Sequence, residues 1–365
     1  MQQTENFAEA ERLMTICNAC RYCEGLCAVF PAMEMRRTFA AGDLVYLANL
    51  CHGCGACYTD CQYSPPHEFA VNVPGALARL RNDSYRIYTR PRFFGGLFAR
   101  NGIAVTLIVA LSVAGFIAGF VWWRDPAVLF GRHAGDFYRL MPHSAMVTLF
   151  GAVTAYVIVV LTLSLRAFWR DIRGDDGAEA ASAGEATKDT ATLRYLGGGG
   201  GGCTSENERP SRQRRFYHHL TFYGFLLCFA STSVATIYHY VFGWRAPYPF
   251  DSAPVVLGMI GGAGLLIGPL GLFVLARNRD SIFTDTRGAG MDAAFLLMLF
   301  FTSLTGFGLL FLRDTGAMGL MLALHLGVVL GLFLSMPYGK FVHGLYRFLA
   351  LMKYARERRK GAFVD

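Results

Sequence analysis

Charged side chains are scarce in this sequence: Asp, Glu, Lys and Arg make up 16% of its 365 residues, whereas 53% are hydrophobic. An average soluble domain has about 25% charged residues, so this composition excludes an ordinary soluble globular protein. The first sixteen residues have no apolar stretch and include Glu5, Glu9 and Arg12, which excludes a signal peptide. The six-glycine run 197–202 has no Lys-Ser or Lys-Thr after it, so it is not a P-loop.

Signals of a catalytic centre are also missing. The sequence shows no catalytic dyad or triad and no dinucleotide-binding glycine fingerprint after a strand. The net charge is +8, but the basic residues cluster beside apolar stretches, a pattern that indicates membrane topology rather than nucleic-acid binding. We therefore expect no nucleic-acid partner, and we expect any organic chemistry to belong to a partner flavoprotein.

Eight of the ten cysteines lie in two runs that share the spacing C-x2-C-x2-C-x3-C. This is the spacing of bacterial [4Fe–4S] ferredoxins, in which the fourth cysteine of one run ligates the other cluster. Zinc ligands usually come as two pairs across a longer gap, and four close cysteines do not easily form two relaxed disulfides. The sequence therefore predicts two [4Fe–4S] clusters, one on Cys17, Cys20, Cys23 and Cys61 and the other on Cys51, Cys54, Cys57 and Cys27.

The segment that carries these runs has the character of a small ferredoxin-like domain over residues 1–100. Residues 5–16 predict a short amphipathic helix, and residues 39–50 predict a second helix with Asp43 as a possible cap. The second helix would return one run beside the other. His52 and His67 lie near the runs, where hydrogen bonding or packing is a more common role than ligation. The cysteine content predicts a reducing compartment for this domain.

The remainder predicts a mainly α protein with a six-helix transmembrane bundle, because about 20 apolar residues are needed to cross a bilayer. We divide it into residues 101–170 with two spans, a loop at 171–215, residues 216–350 with four spans, and a basic tail at 351–365. Within the loop, residues 175–192 predict a flexible linker. The spans are Ile103–Trp123, Ser144–Leu165, His218–Phe242, Pro254–Ala276, Met291–Leu312 and Met318–Met336.

The distribution of basic residues predicts the orientation of the spans. Arginines and lysines concentrate in the segments on the side of residues 1–100 and in the tail, whereas the opposite loops hold few. By the positive-inside rule, the cysteine-rich domain and the C-terminus lie in the cytoplasm of a multi-pass protein of the inner membrane. Small residues in the fourth span, Gly258, Gly262, Gly264 and Gly268, predict close helix packing, with close approach of a flat cofactor as the alternative.

Histidines recur near the membrane spans, where ionisable residues are expensive and usually functional. His325 and His343 share a helix face if the last span continues through Pro337 and Gly339, and the third span contains three further histidines, His218, His219 and His239. Facing histidines on two helices can ligate a b-type haem. We expect His218 or His219 to pair with His343 and His239 to pair with His325, giving one haem b or two. His143 is a weaker candidate, and hydrogen bonding within the bundle is the alternative role.

Several stretches together resemble the tricarballylate/citrate utilisation protein B family. They are the first run through Pro31, residues 51–74, Tyr195 through Cys203, residues 208–210 and His218 through Cys228. The likeness extends over nearly the whole chain, and the C-terminal half of a cobalamin-biosynthetic flavin–haem–iron–sulfur protein is similar too. The closeness of residues 195–203 to the family pattern also suggests that the glycine-rich loop docks near the clusters.

The resemblance implies a membrane electron-transfer protein that serves a separate FAD-containing dehydrogenase. That partner oxidises tricarballylate to cis-aconitate, and this protein would reoxidise its flavin and pass electrons through the clusters and haem to membrane quinone. Three alternatives stay open: a redox component of corrin ring contraction, a membrane anchor of the heterodisulfide-reductase or nitrate-reductase kind, and, from another class, an iron–sulfur redox sensor or transporter.

Overall fold

The computed structural model describes residues 5–98, 100–123, 126–174, 180–206 and 209–361. This part of the chain is helical, and its only β-type pairing is an isolated antiparallel bridge between Cys203 and Ser211. The mainly α class predicted from the sequence is confirmed. The helices are α1 (Glu5–Cys20), α2 (Val29–Glu34), α3 (Ala41–Leu50), α4 (Ala56–Thr59), α5 (Val73–Tyr88), α6 (Asn101–Trp123), α7 (His143–Ile172), α8 (Ala180–Ala191), α9 (Gln213–Val241), α10 (Ala253–Arg277), α11 (Ala289–Leu312), α12 (Met318–Ser335) and α13 (Val342–Gly361).

Helices α1, α2, α3 and α5 form the core of the cysteine-rich N-terminal domain. Both helices predicted here are present, although α1 runs on to Cys20 and thus carries the first two cysteines of its run. At the start of α3 the amide of Ala40 donates to the Asp43 carboxylate over 3.3 Å, which satisfies a backbone donor that the helix leaves free. The large side chains of Tyr46 and Tyr85 are completely buried between these helices. The core therefore fixes the loops that carry the cysteines.

Six of the described helices are long and apolar enough to cross a membrane: α6, α7, α9, α10, α12 and the segment Thr286–Leu312 that contains α11. The six predicted spans each fall on one of them. Most of their surface is exposed in the isolated chain, with large apolar residues such as Leu111, Ile158 and Ile260 facing outwards. A lipid bilayer is the environment that such surfaces require, and the chain is a multi-pass membrane protein.

Glycines let α9 and α10 approach each other until their backbones touch. A methyl group added at Gly268 would lie 2.6 Å from the backbone nitrogen of Thr221 and 2.9 Å from the carbonyl of Tyr217. Gly264 meets the carbonyl of Leu220 in the same way, at 2.9 Å. The predicted close packing of the fourth span is confirmed, and it is a packing of backbone against backbone.

This contact predicts opposite effects for one substitution at two sites. Gly268→Ala should destabilise the protein by ~3 kcal/mol, because the added methyl meets rigid backbone. Gly151→Ala in α7, where nothing lies within 4 Å, should be neutral or slightly stabilising because alanine favours helix. Thermal unfolding of the detergent-solubilised variants measures both effects. Equal midpoints for the two variants would contradict the backbone contact.

The last span does not continue into the C-terminal helix. Helix α12 ends at Ser335, residues Met336–Tyr338 form a single turn, and α13 begins at Val342. Pro337 lacks an amide proton and stops the α-helix here. The condition under which His325 and His343 would share one helix face is therefore not met. Helix α13 instead turns back beneath the N-terminal domain and packs against α3, α7 and α8.

Residues 180–191 correct a second expectation, since they form α8 rather than flexible linker. The helix packs along α13, where the Glu185 carboxylate pairs with Arg358 and, at 3.4 Å, with Arg359. Ala186 and Ser182 are buried in this contact. A small-residue composition that reads as linker in isolation thus fits a helix with a close neighbour. Residues 175–179 of the predicted linker lie outside the described residues.

A buried ionic network joins α13 to the N-terminal domain. Arg36 pairs with Asp43 at 2.7 Å and with Glu357, and Lys353 lies 3.5 Å from Asp43 and 3.6 Å from Glu357. Tyr46 donates to Glu357 over 2.9 Å. Two cations and two anions balance one another, as buried charges must. The network places the C-terminal helix and the cysteine-rich domain on the same side of the spans.

Candidate iron–sulfur and haem sites

The structure brings together four cysteines from both runs in one surface pocket, which we call the first thiol set: Cys17, Cys20, Cys23 and Cys61. Burial, and then the neighbouring thiols of Cys23 and Cys61, raise the pKa of Cys17 to about 12. Burial, and then Cys61 and Cys20, raise the pKa of Cys23 to about 12. Cys61 therefore stands with the run to which it does not belong in sequence. Cys57 also reaches the wall of this pocket.

The remaining four cysteines of the runs form a second thiol set: Cys27, Cys51, Cys54 and Cys57. Burial, and then the thiols of Cys51 and Cys54, raise the pKa of Cys27. Burial, and then Cys54 and Cys27, raise the pKa of Cys57. Backbone amides also turn towards these sulfurs, as the Gly53 amide does towards Cys51 Sγ at 3.3 Å. Such amides stabilise a thiolate.

The arrangement of the sulfurs suits clusters better than the two alternatives. All ten cysteines are free thiols. A cubane presents a separate iron to each thiolate, so its ligands stand further apart than those of one zinc ion. The raised thiol pKa values mean that ligation has to displace protons, which positively charged iron can do.

The six-glycine run lies against the second thiol set. A Cβ at Gly198 would lie 2.8 Å from the Cβ of Ala56 and 3.9 Å from Cys54 Sγ, and one at Gly199 would lie 3.2 Å from Leu26. Gly198 and Gly199 have φ of 49° and 72°, in the left-handed region that favours glycine. The suggestion that this loop docks near the cysteines is confirmed.

Cys203, which follows the glycines, is a ninth cysteine beside the second thiol set. Its side chain is buried and packs against Cys54. The amide of the next residue, Thr204, donates to the Cys54 carbonyl over 2.8 Å, and the Thr204 hydroxyl bonds to Thr59 at 2.9 Å. The loop is thus hydrogen-bonded to the cysteine loop at Cys54 and again at Thr59.

Two arginines, one from the N-terminal domain and one from α13, donate hydrogen bonds to the backbone carbonyl of Cys51. Arg81 of α5 donates to the Cys51 carbonyl over 2.6 Å, and Arg347 of α13 donates to the same oxygen over 2.9 Å. Arg347 also donates to the carbonyl of Asn49 over 3.2 Å. Burial, and then the charge of Arg81, lower the pKa of Arg347 to about 10.

Two more arginines reach the next two carbonyls from the membrane helices. Arg214 of α9 donates to the carbonyls of His52 and Gly53 over 2.9 and 3.0 Å. Arg279, just after α10, also donates to Gly53, and a Cβ at Gly53 would lie 2.7 Å from its guanidinium. Burial, and then the charge of Arg214, lower the pKa of Arg279 to about 9. We call Arg81, Arg214, Arg279 and Arg347 the arginine clamp.

His218 at the start of α9 and His343 at the start of α13 lie side by side, with ring centres 6.2 Å apart and planes at 71°. A metal–imidazole bond is about 2 Å long, and the ring centre is roughly 1 Å further, so two axial imidazoles on one iron have centres about 6 Å apart. His343 Nδ1 bonds to the Lys340 carbonyl at 2.5 Å, which leaves Nε2 free. His218 Nδ1 is buried without a hydrogen-bond partner.

The surroundings of His343 keep it in the form that can bind metal. Burial, and then the charges of Lys340 and Arg347, lower its pKa, so the imidazole is neutral near pH 7. A neutral imidazole is the form that ligates iron. His52 is kept neutral in the same way, by burial and then by Arg347, Arg214 and His218. Because His52 directly follows Cys51, the second thiol set adjoins the histidine pair.

The other histidines are not placed as the sequence suggested. His239 stacks on His143, with ring centres 4.0 Å apart and planes at 12°, and His325 is not among its ring neighbours. His325 instead bonds to Thr305 at 3.1 Å, and His219 stacks on Tyr223 at 5.8 Å. The expected outer pair of His239 and His325 is therefore not formed. A flat macrocycle does not fit between rings stacked at 4.0 Å.

His67 has a local packing role. The amide of Phe69 donates to its Nδ1 over 3.1 Å, and its ring packs edge-on against Tyr63 and Phe69. These contacts hold the turn after Cys61 without involving a sulfur ligand. The preference for packing over ligation stated from the sequence agrees with this placement.

Sequence reasoning missed Cys203 and the arginine clamp as parts of the site. Arg214 and Arg279 lie in basic segments that the sequence alone relates only to topology, and nothing in the sequence separates them from the exposed arginines nearby. The family resemblance placed the glycine loop near the clusters, and that signal could have extended to Cys203.

The fold and the cysteine-rich site define a multi-pass membrane protein with a ferredoxin-like N-terminal domain. The model of the citrate utilization protein B Fer4-like domain matches residues 10–86, and the model of citrate utilization protein B matches residues 97–363. Citrate utilization protein B of Escherichia coli is 51% identical over 359 residues, which cover 98% of this chain and 94% of that protein. No solved structure matches the chain. The chain belongs to the citrate utilization protein B family.

Proposed function

We propose that this protein is a membrane electron-transfer subunit that reoxidises the reduced flavin of a partner tricarballylate dehydrogenase and reduces membrane quinone. The observation that carries the proposal is the adjacency of three candidate sites: the first thiol set at the surface, the second thiol set behind it, and the pair His218 and His343 near His52, which follows Cys51. Two [4Fe–4S] clusters and one haem b would supply one-electron redox chemistry there, between a two-electron flavin and a two-electron quinone.

Each proposed cofactor has a set of residues that would bind it. The first thiol set holds one cluster next to the exposed Tyr22, on a surface that a soluble flavoprotein can reach. The second thiol set holds the other cluster beside the glycine loop, where Gly198 lies against Ala56 and Cys54. His218 and His343 supply the axial nitrogens for one haem b, because they alone among the predicted pairs have the spacing that a shared iron requires.

The proposed placement in the cell follows from the positions of the basic residues. The cysteine-rich domain and α13 lie together on one side of the spans. Basic residues mark this side: Arg166 and Arg170 near the end of α7, and Arg356 and Arg358 in α13. By the positive-inside rule this side is the cytoplasm of the inner membrane, where a dehydrogenase acting on a tricarboxylate would be found. The name of the Escherichia coli relative, citrate utilization protein B, agrees with a role in tricarboxylate metabolism.

Anaerobic purification of the full chain in detergent tests the proposal. We expect about eight iron atoms and eight sulfides in clusters per chain, together with one haem that shows reduced-minus-oxidised bands. Reduced tricarballylate dehydrogenase should reduce these centres, and a short-chain quinone should reoxidise them. A protein without iron, sulfide and haem would contradict the assignment. Centres that are present but stay reduced with quinone would favour the redox-sensor alternative.

A further inference from the structure

The arginine clamp carries positive charge that no carboxylate balances. In the part of the chain that the structure describes, none of its four members forms an ion pair with Asp or Glu. Asp292 and Glu206 act on Arg279 from a distance, without an ion pair to it among the described residues. The network of Arg36, Asp43, Lys353 and Glu357 pairs cations with anions, and the clamp does not.

Neutral carbonyls are the direct partners of the clamp, and they do not cancel the charge of Arg81, which is buried, or of Arg214, Arg279 and Arg347, which are half-buried. Such charges persist where another charge compensates them. Within the clamp the charges repel one another, as the effect of Arg81 on Arg347 shows. The compensating charge has to lie close to residues 51–53, whose carbonyls bind the clamp. This segment begins with Cys51 and leads directly into Cys54. The second thiol set, with four thiolates on one iron–sulfur group, is the concentration of negative charge at this place.

The first thiol set has the opposite surroundings. Asp60 directly precedes Cys61, and the arginine nearest in sequence, Arg21, is exposed and donates to the carbonyl of Asn18. Exposed charges are largely screened by water and salt, whereas buried ones are not. The electrostatic contrast between the two thiol sets is therefore set by the clamp.

We propose that the arginine clamp tunes the second thiol set to a higher reduction potential than the first, and so directs electrons towards the membrane. The inference rests on the proposed function. The step is a one-electron exchange: the group on the first thiol set is oxidised by one electron, and the group on the second becomes more negative by one charge. No proton or bond changes place. The original reductant is the reduced flavin of the partner, and the four arginines are positioning residues that act through the field at Cys51 and Cys54.

Substitutions of Arg347 separate charge from structure. Arg347→Gln keeps a hydrogen-bond donor and removes the charge, whereas Arg347→Lys keeps the charge and loses the planar fork. We expect Arg347→Gln to lower the equilibrium constant for reduction of the group on the second thiol set at least tenfold. This corresponds to a fall in its reduction potential of about 59 mV for one electron. Arg347→Lys should shift this potential much less. Arg37 is exposed on the N-terminal domain, so the control Arg37→Gln should leave the potential unchanged.

The measurement is a redox titration of the full chain followed by EPR, with haem followed optically in the same samples. The signal of the second thiol set is the one that survives Cys17→Ser. Arg279→Gln repeats the test if Arg347→Gln does not fold. Equal shifts of the potential in Arg347→Gln and Arg347→Lys, or no shift in Arg347→Gln, would overturn the inference. A shift of the haem potential alone would also overturn it, and would make haem carboxylates the counter-charge. Absence of iron and sulfide in the wild type would instead overturn the proposed function itself.

Discussion

Replacing Cys61 with serine is expected to remove the cluster of the first thiol set, although Cys61 belongs to the second run in sequence. The reason is spatial: its sulfur lies with Cys17 and Cys23 in one pocket. Iron should fall from about eight to about four atoms per chain. Cys27→Ser should have the reciprocal effect, because Cys27 lies with Cys51 and Cys54. Either variant should abolish electron transfer from the partner flavoprotein to quinone.

EPR of the reduced variants decides between pairing across the runs and pairing within them. If the runs are crossed, the signal that survives Cys61→Ser equals the one that survives Cys17→Ser, and Cys27→Ser matches Cys54→Ser. If each run holds its own cluster, Cys61→Ser would match Cys54→Ser instead. Cys228→Ser, in α9 and outside both thiol sets, is the control and should keep all the iron.

The grouping of thiols from both runs could be predicted from sequence because cysteine spacing encodes it. Three cysteines on a tight loop face one way and the fourth faces another, and the helix at 41–50 returns one run beside the other. Spans could be predicted as well, since twenty apolar residues have few other uses. Local pattern was enough for both.

The histidine pairs show where local pattern stops being enough. Periodicity puts His343 on the face of His325 only if α12 continues through Pro337, and because the helix ends before that residue, His343 lies on α13. It still meets His218, but only because α13 folds back under the N-terminal domain, a tertiary contact that periodicity does not encode. The pairing of His239 with His143 depends likewise on how α7 and α9 meet. The small residues of α8 gave no sign of the helix, because its stability comes from packing on α13.

Haem binding is expected to depend on His343 and not on His143. His343→Ala removes one of the two nitrogens at the spacing that an iron requires, so haem content should fall to less than about a tenth of wild type. Quinone reduction should be lost with it. The clusters should remain, because the cysteines bind independently of His343.

His143→Ala and His239→Ala are the matched controls, since their stacked rings leave no room for a macrocycle. Both variants should keep one haem per chain, measured from the reduced-minus-oxidised spectrum against protein concentration. A wild type with two haems, one of which is lost in His239→Ala, would show that the outer rings part to take a second haem. In that case the stacked arrangement would belong to the haem-free chain, and the path through the membrane would have two haems in series. One haem, lost with either His218 or His343, would instead keep the electron path on the side of the cysteine-rich domain, and quinone would have to be reduced there.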